Sequence, residues 1–499
     1  MDLLHRLLYT TIGALSIFYL LVKYSLSHWK KRGILHEKPK FLWGNLKGVG
    51  SKKHIQTALQ EHYNKYKAKA PFIGFYAYVK PVILLLDLDV IKYVLQTDAH
   101  IFKARGLYNN VESDPLSQNL FQLDGHKWEE LHNKLRIVFS KEKLESIVPA
   151  LLNISTVFKR SLNERLSSRK IFVINDLVDS FNVDVIANLV FNMNSDSLLH
   201  PNTEFRAMTQ TYMKSFSMIK AYLATYFPII ARILGYRSYD ELVTNYYCNL
   251  VKNKVIERKK QHSQPHNDFL EIFAKLKYED NSQGGFSFNE LTAQAFSFVL
   301  AGLQTCNTTM IYCLYELSVH PQMQDKARAE INDVLKKHNN QINMKSISDM
   351  QYLNQIVCET LRKHSPYPFL LRKTTKDYEI PDSVFMFKED NYLVVPISAI
   401  HHDPDIYPEP GRFDPDRFLP SEVQKRHPFT WIPFGFGPRE CIAQEFAKIQ
   451  ILVGLITLLQ DYKYSSSTEV FTPIDYDNTN LFILRPKLDI NLCVERVEH

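Results

Sequence analysis

The sequence lacks most of the features that divide long chains or mark common enzyme classes. Across 499 residues it has no Cys-x-x-Cys pair, and after the first 50 residues no Ser/Gly/Pro-rich linker, acidic tail or internal repeat. A GxGxxG dinucleotide fingerprint is also missing, as are a Ser/His/Asp order and a paired-carboxylate motif. These absences argue against a zinc site, a built-in NADPH site and a hydrolase. They favour one large, mainly helical domain.

Cysteine and net charge are both modest. Six cysteines are scattered along apolar segments, and the net charge is only +7. Scattered cysteines indicate reduced thiols in a cytosol-facing protein rather than a disulfide framework. The basic residues are spread out, so no nucleic-acid partner is expected, while a weakly basic docking face for an acidic protein partner stays open.

The amino terminus contains a long uncharged apolar run. Leu7 to Val22 has no charged residue, and Lys23 and the cluster Lys30 to Arg32 follow it. With Lys23 snorkelling, the segment approaches the roughly 20 residues that span a bilayer. No small-x-small cleavage site follows, so an uncleaved signal anchor is preferred to a removed signal peptide. The basic cluster predicts a cytoplasmic main domain, with Trp29 at the membrane interface.

Cys441 lies in a glycine-rich turn that leads into an apolar helical run. Gly435 and Gly437 let the backbone bend so that N–H groups point at one sulfur. The run from Ile442 to about Leu459 has helical periodicity, and the positive end of its dipole favours a thiolate. Such a loop can hold a sulfur that ligates iron. The alternative is an ordinary small buried cysteine.

A second motif lies in a predicted helix upstream. Ser287 to Glu290 has the capping-box pattern that begins a helix. Ala301, Gly302 and Thr305 then follow on one face with Phe298, and the small residues leave room for a flat cofactor and dioxygen. The alternative is a buried helix whose glycine serves packing and whose threonine bonds its own backbone.

The pattern Phe-x-x-Gly-x-Arg-x-Cys ending at Cys441 resembles the haem-thiolate signature of the cytochrome P-450 family. Trp128, the Ala301–Thr305 run, Glu359 to Arg362, Arg417 and Cys441 also occur in that family's order. The resemblance covers the chain from about Trp29 to its end. It is closest to the insect microsomal detoxification branch.

The resemblance implies a fold and an activity. The fold is mainly α with small β-sheets: an anchor helix over residues 1–26, a basic interface and hinge over 27–50, and a haem-binding catalytic domain over 51–499. The activity is insertion of one atom of O2 into a lipophilic small molecule. The cofactor is haem b, with electrons from NADPH through NADPH-cytochrome P-450 reductase, and with cytochrome b5 as a further candidate partner. The location is the endoplasmic reticulum membrane, with the catalytic domain on the cytoplasmic side.

The resemblance also implies roles for individual residues. Cys441 is the axial iron ligand, and the expected haem-binding residues are Phe434, Arg439, Trp128, His132 and Arg372. The expected catalytic residues are Thr305, Ala301 and Gln304. The expected structural network is Glu359, Arg362 and Arg417. The expected substrate-pocket residues are Tyr108, Phe121, Phe298, Leu370 and Phe482, and the apolar stretch Tyr222 to Leu234 offers entry from lipid.

The chain departs from the family pattern at three positions. Gln304 stands where the family has an acid, and an amide cannot take up and release a proton as a carboxylate does. His132 replaces an arginine, and an exposed helical histidine is an equal alternative there. Ala443 replaces a glycine and could crowd the haem face.

Three other functions stay open. One is a haem-thiolate isomerase or dehydratase, against which Thr305 argues. Another is a non-catalytic haem- or lipophile-binding protein, which Gln304, His132 and Ala443 favour. The last is an anchored scaffold without haem.

Overall fold

The computed structural model describes most of the chain. The described residues are 2–168, 170–215, 217–260, 268–271, 287–381, 383, 385–467 and 474–497. Part of the long segment before the Ser287 helix lies outside them.

Helices dominate the described residues. Their bounds are α1 Asp2–Ser25, α2 His28–Lys31, α3 Ile55–Tyr66, α4 Leu88–Lys92, α5 Ala99–Phe102, α6 Gly125–Leu135, α7 Lys141–Leu166, α8 Ile174–Phe191, α9 Glu204–Ser215, α10 Met218–Tyr226, α11 Pro228–Ile233, α12 Glu241–Lys260, α13 Phe288–Val319, α14 Pro321–Lys337, α15 Met344–Asp349, α16 Gln351–Lys363, α17 Ile397–His401, α18 Pro420–Val423 and α19 Gln444–Asp461.

The strands are short and form small sheets. Their bounds are β1 Phe72–Ala77, β2 Lys80–Leu85, β3 Ile171–Val173, β4 Leu370–Lys373, β5 Tyr378–Glu379, β6 Met386–Phe387, β7 Tyr392–Val395, β8 Tyr462–Ser466 and β9 Asn491–Arg496. One sheet has the order β1-β2-β7-β4, a second β3-β9-β8, and β5 pairs with β6. The prediction of a mainly α fold with small β-sheets is confirmed.

Helix α13 runs through the centre of the main hydrophobic core. It begins with the predicted capping box, in which Ser287 and Glu290 bond each other's backbone N–H groups. Most of its 32 residues are buried, and α8, α16 and α19 pack around it. A helix buried on nearly every side is rigid, so it can position side chains accurately.

Helix α1 is apolar and exposed, whereas Trp29 just after it is buried. Residues Leu3–Ser25 have a mean hydropathy of 1.5 and are long enough to cross a membrane. The Trp29 side chain is only 1% exposed, and its indole N–H donates to the Phe75 carbonyl at 3.0 Å. The expectation that Trp29 marks a membrane interface is therefore wrong, because the ring packs against Gly74 of β1.

Candidate active site

The loop before Cys441 is held in a conformation that needs glycine. Gly435 and Gly437 both have φ of +76°, as expected from the sequence. A Cβ at Gly437 would lie 1.8 Å from the Leu95 carbonyl oxygen, which no side chain can tolerate. The Cys441 N–H donates to the Phe434 carbonyl at 2.8 Å and closes the loop.

The Cys441 thiol faces an internal space. Its side chain is exposed, yet burial raises the pKa of the thiol to about 11, against the Ala443 N–H and the Arg105 charge, which lower it. An exposed group that is nonetheless strongly desolvated lies in an interior cavity rather than on the outer surface. Desolvation outweighs both opposing effects while no metal ion is bound. A metal ion would remove the thiol proton outright.

The neighbourhood of Cys441 reaches α13 and the cavity wall. Burial raises the pKa of Cys306, on α13, to about 12, and the Cys441 charge adds to that rise. Burial also raises the pKa of Tyr367 to about 12, with Arg105 opposing and Cys441 adding. Tyr367 lines a cavity beside α13. The thiol therefore lies within electrostatic range of both.

Arg439, an expected haem-binding residue, bonds the chain around the start of α6. Its guanidinium donates to Asp124 at 2.5 Å and to the carbonyls of Lys103 and Leu123 at 2.5 and 2.8 Å. It also covers the Trp128 ring at 3.8 Å. Arg439 therefore ties the cysteine loop to the start of α6, and Arg105 is the cation that acts on Cys441.

Arg105 and Arg372 complete a largely buried basic cluster with Arg439. Arg105 donates to the Phe121 carbonyl at 3.0 Å, and its guanidinium covers the Phe121 ring at 4.4 Å. Arg372 is 3% exposed, and burial lowers its pKa to about 9. One terminal nitrogen of Arg372, Nη2, has no hydrogen-bond partner among the described residues. No motif surrounds Arg105, so only the folded chain identifies it.

The cluster has more positive than negative charge. Arg105, Arg372 and Arg439 interact with one another, and all three interact with the carboxylate of Asp124. A second carboxylate, Glu129, has its pKa lowered by a hydrogen bond from Lys103, and the Arg439 charge adds to that effect. Lys103 is already paired with Glu129. Three guanidiniums beside one carboxylate leave two positive charges uncompensated, and haem b carries two propionates. The donor set fits that cofactor.

Trp128 and His132 stack on each other at the edge of this cluster. Their ring centroids are 4.9 Å apart with an interplanar angle of 27°. Burial lowers the pKa of His132, and Arg136 and Arg439 lower it further. The neutral ring offers a single hydrogen bond in place of an arginine's charge, so the positive charge near this edge comes from the arginines.

The middle of α13 provides an open face. Ala301 is exposed although the residues around it are largely buried, and both Ala301 and Gln304 line the cavity beside the helix. A Cβ at Gly302 would meet Ile186 at 3.0 Å, so this glycine serves packing against α8. The Thr305 hydroxyl donates to the Ala301 carbonyl at 2.7 Å.

The cavity beside α13 has a volume of about 840 Å³. Of the five expected pocket residues, Tyr108, Phe121 and Phe482 line it. Phe298 instead stacks with Phe139 and Phe269 in the core, at 5.6 and 4.8 Å. Leu370 lies beside Gly435 of the cysteine loop and is not among the described residues that line the cavity. Periodicity could not separate these cases, because both faces of α13 are apolar.

The Glu359 network has the expected members. Both Glu359 and Arg362 are fully buried and form two parallel hydrogen bonds of 2.7 and 2.8 Å. Arg362 also donates to the His401 carbonyl at 2.8 Å. Arg417 lies 3.6 Å from Glu359, and the Asp414 N–H donates to Glu359 at 2.9 Å. The network joins α16 to the segment that precedes the cysteine loop.

Comparisons with known proteins agree with this geometry. The family model described as Cytochrome P450 matches residues 35–494. The chain is 46% identical to "Probable cytochrome P450 6u1" of Drosophila melanogaster, over 100% of both chains. It is 36% identical to "Probable cytochrome P450 6a14" of the same organism, over 94% of this chain and 96% of the relative. It is 34% identical to "Probable cytochrome P450 6a13", also from Drosophila melanogaster, over 98% of each.

A match over nearly the whole chain, with relatives well above 30% identity, identifies the family. It also removes the scaffold without haem from consideration, since haem iron is the cofactor of the family. The chain belongs to the cytochrome P450 family of haem-thiolate monooxygenases, with relatives among the insect enzymes.

Proposed function

We propose that this monooxygenase is membrane-anchored and inserts one atom of O2 into a lipophilic small molecule, and that the Cys441 thiolate would hold the haem iron. The observation that carries the proposal is the position of the Cys441 thiol. It faces an internal space, within electrostatic range of α13 and of a cavity-lining tyrosine.

The basic cluster would hold the propionates of haem b. Arg372 offers an unpaired buried donor, which suits a propionate. Arg105 adds charge, and Trp128 with His132 forms the neighbouring wall. Phe434 lies in the cysteine loop and Arg439 braces that loop through Asp124. Haem, when bound, supplies the redox chemistry of oxygen activation.

Residues of α13 line the cavity described above. Ala301 leaves space, because its methyl group is all that stands between the helix backbone and the cavity. The Thr305 hydroxyl donates to the Ala301 carbonyl. If the side chain rotates away from that carbonyl, its Oγ1–H group can donate a hydrogen bond into the cavity instead. Gln304 can position a water molecule but cannot release a proton at neutral pH. A non-catalytic haem- or lipophile-binding protein is therefore the second candidate function.

The apolar lining of the cavity indicates the substrate class, and the exposed apolar residues of the α11 region indicate membrane attachment. Tyr108, Phe121 and Phe482 give the cavity an aromatic lining, which suits a lipophilic molecule. Ile229, Ile233 and Leu234 of the α11 region are 73%, 79% and 77% exposed. These side chains and the exposed apolar helix α1 are surfaces that a bilayer would cover. The membrane proposed is the endoplasmic reticulum, with the catalytic domain on its cytoplasmic side. Xenobiotics and endogenous lipid-like compounds both fit such an entry.

Electrons must come from a partner protein. The sequence has no dinucleotide fingerprint and no separate flavin domain, so NADPH would act through a flavoprotein reductase. Cytochrome b5 is a second candidate donor. Exposed basic side chains such as Lys127 of α6 give the surface near the cysteine loop the charge that an acidic partner needs.

Two measurements test the proposal. The reduced, CO-bound native protein should show the red-shifted Soret band of a thiolate-ligated haem, and Cys441→Ala should lose it while Cys248→Ala keeps it. With reductase present, a tolerant lipophilic probe should then be oxidised as NADPH is consumed. A normal Soret band without any product would favour the non-catalytic binder, and no band in folded native protein would refute the ligand assignment.

A further inference from the structure

The cavity beside Gln304 also reaches a carboxylate that none of the roles above uses. Asp179 of α8 lines the same cavity as Ala301 and Gln304. One oxygen of Asp179 accepts from Asn307 of α13 at 2.8 Å. Its other oxygen accepts from Arg206 at 2.9 Å. Asp179 thus connects directly to the helix on which the expected acid is missing.

The link between Asp179 and α13 is fixed by a chain of amides. Asn182 donates to the Asn307 side-chain oxygen at 2.5 Å, and Gln450 donates to the Asn182 oxygen at 2.5 Å. Because the Asn307 oxygen is occupied as an acceptor, its NH2 group must face Asp179. Asn307 is three residues after Gln304, so the two side chains are neighbours on α13.

We propose that Asp179 stores protons and delivers them to the part of this cavity beside Ala301 and Gln304. Asp179 would thereby take the place of the acid that is absent at position 304. This inference rests on the proposed function. The O–H bond of protonated Asp179 breaks and a cavity water accepts the proton. Asp179 then takes a proton from water at the outer end of the cavity. One proton has moved inward, Asp179 is regenerated, and no electrons are transferred.

The surroundings of Asp179 suit that role. Burial raises its pKa, Arg206 and Asn307 oppose the rise, and Asp176 adds to it. The carboxyl therefore keeps a proton at higher pH than an exposed aspartate does. The other charged side chains that line this cavity are Asp176, Arg206, Asp477, Arg485, Lys487 and Asp489. Arg165 lies behind Asp176 and bonds it at 3.0 Å.

The cavity reaches solvent on the Asp179 side. The Asp176 side chain is 40% exposed and the Lys487 side chain 57% exposed, whereas that of Asp179 is 21% exposed. Asp176 cannot replace Asp179, because Asp176 bonds Arg165 and Arg206 rather than α13. The pKa of Asp176 is also lowered: burial raises it, but the hydrogen bond and charge of Arg206 outweigh burial. It is a matched control.

The experiment compares Asp179→Asn, Asp176→Asn and the double variant Gln304→Asp with Asp179→Asn. In Asp179→Asn the new side-chain oxygen still accepts a hydrogen bond from Asn307, and Arg206 keeps its hydrogen bond to Asp176. The variant should therefore fold. Asp179→Asn should keep the CO-bound Soret band but form product from about tenfold less of the NADPH consumed, with hydrogen peroxide released instead. Asp176→Asn should stay within about twofold of native, because the Asp176 charge is the smallest of the effects on the Asp179 pKa and Asp176 makes no bond to α13. An acid at position 304 should restore the coupling.

A readout independent of activity separates proton storage from packing. Infrared pH-difference spectra of the ferric protein, native minus Asp179→Asn, should contain a protonated-carboxyl band that persists above the pH at which an ordinary aspartate ionises. Absence of that band, unchanged coupling in Asp179→Asn, or failure of the acid at 304 to rescue would each overturn the proposal. If Asp179→Asn does not fold, Gln304→Asp alone decides: it should extend efficient coupling to higher pH, and an unchanged pH profile would refute the role. Loss of the Soret band in the native protein would instead refute the proposed function.

Discussion

The Arg439 guanidinium lies 3.8 Å from the centroid of the Trp128 ring and 2.5 Å from Asp124. A single side chain of the cysteine loop therefore stacks on α6 and binds the residue that precedes α6. The two segments are more than 300 residues apart in sequence. The cysteine loop keeps its position because a cation, an aromatic ring and a carboxylate meet at one point.

Arg439→Lys should weaken this junction although the charge is kept. A lysine has no planar fork, so it cannot serve Asp124 and the Lys103 and Leu123 carbonyls together. We expect a loss of about 2–4 kcal/mol of stability, seen as a lower thermal midpoint and a lower haem content. The control is Arg412→Lys, whose side chain is 63% exposed and lies 3.6 Å from Glu409. Equal midpoints for the two variants would contradict the junction.

Arg372→Gln should speed the loss of haem. The substitution removes one of the guanidiniums that Asp124 alone does not neutralise. A charge-assisted hydrogen bond contributes about 1.5–3 kcal/mol, so the haem transfer rate should rise roughly 10- to 100-fold. Transfer to an excess of apomyoglobin measures that rate. Lys388→Gln, which breaks an exposed pair with Asp377, should leave the haem transfer rate unchanged.

Gly437→Ala should disrupt the cysteine loop, whereas Gly411→Ala should be tolerated. At Gly437 the new methyl group would meet the Leu95 carbonyl at 1.8 Å, and φ is +76°. At Gly411 nothing lies within 4 Å. We expect Gly437→Ala to lose at least about 2 kcal/mol of stability and most of the thiolate-type Soret band. Similar spectra and melting curves for the two variants would show that the loop can rearrange.

Glu316→Gln should remove an acid-sensitive part of the stability. Burial alone would raise the pKa of Glu316, but the His364 hydrogen bond and the Lys363 charge lower it to about 2. A lowered carboxyl pKa stabilises the fold above the unfolded value near 4.5 and loses that effect as the pH falls toward 2. Burial lowers the pKa of His364, so at neutral pH Lys363, at 2.9 Å, is the charged partner.

Urea unfolding at pH 7 and at pH 3.5 measures this contribution. The native protein should exceed Glu316→Gln by no more than about 3 kcal/mol at pH 7, and by clearly less at pH 3.5. Glu422→Gln removes a 43% exposed carboxylate paired with Lys425 and should change little at either pH. A gap for Glu316→Gln that widens toward low pH would reverse the sign of the argument.

Local sequence patterns predicted the parts of the site that depend on neighbouring residues. Ser287 with Glu290 identified the start of α13, and the two glycines before Cys441 identified its strained loop. The pair Glu359 and Arg362 was implied by the family resemblance, and its i, i+3 spacing places both side chains on one face of α16. In each case the interacting groups lie within about two helical turns of one another, so their geometry follows from the backbone alone.

Long-range partners could not be predicted in this way. Arg105 reaches the cysteine loop only through the fold, and Asp179 reaches α13 across a helix interface. The hydrogen-bond partners of Arg439 could not be predicted for the same reason, since its acceptors lie more than 300 residues away in sequence. Phe298 was assigned to the pocket because an apolar residue on a central helix fits a core as well as a cavity.

The burial of Trp29 also has a consequence for motion. Its ring fills the space over Gly74, its backbone N–H meets the Tyr76 hydroxyl at 3.0 Å, and the Ser25 hydroxyl donates to the Val79 carbonyl at 2.5 Å. The carboxyl end of helix α1 is thus attached to the first sheet through Ser25 and Trp29. With α1 in a bilayer, these contacts would restrict rotation of the catalytic domain relative to α1. The tilt of the catalytic domain over the lipid would then depend on the few contacts around the Trp29 ring.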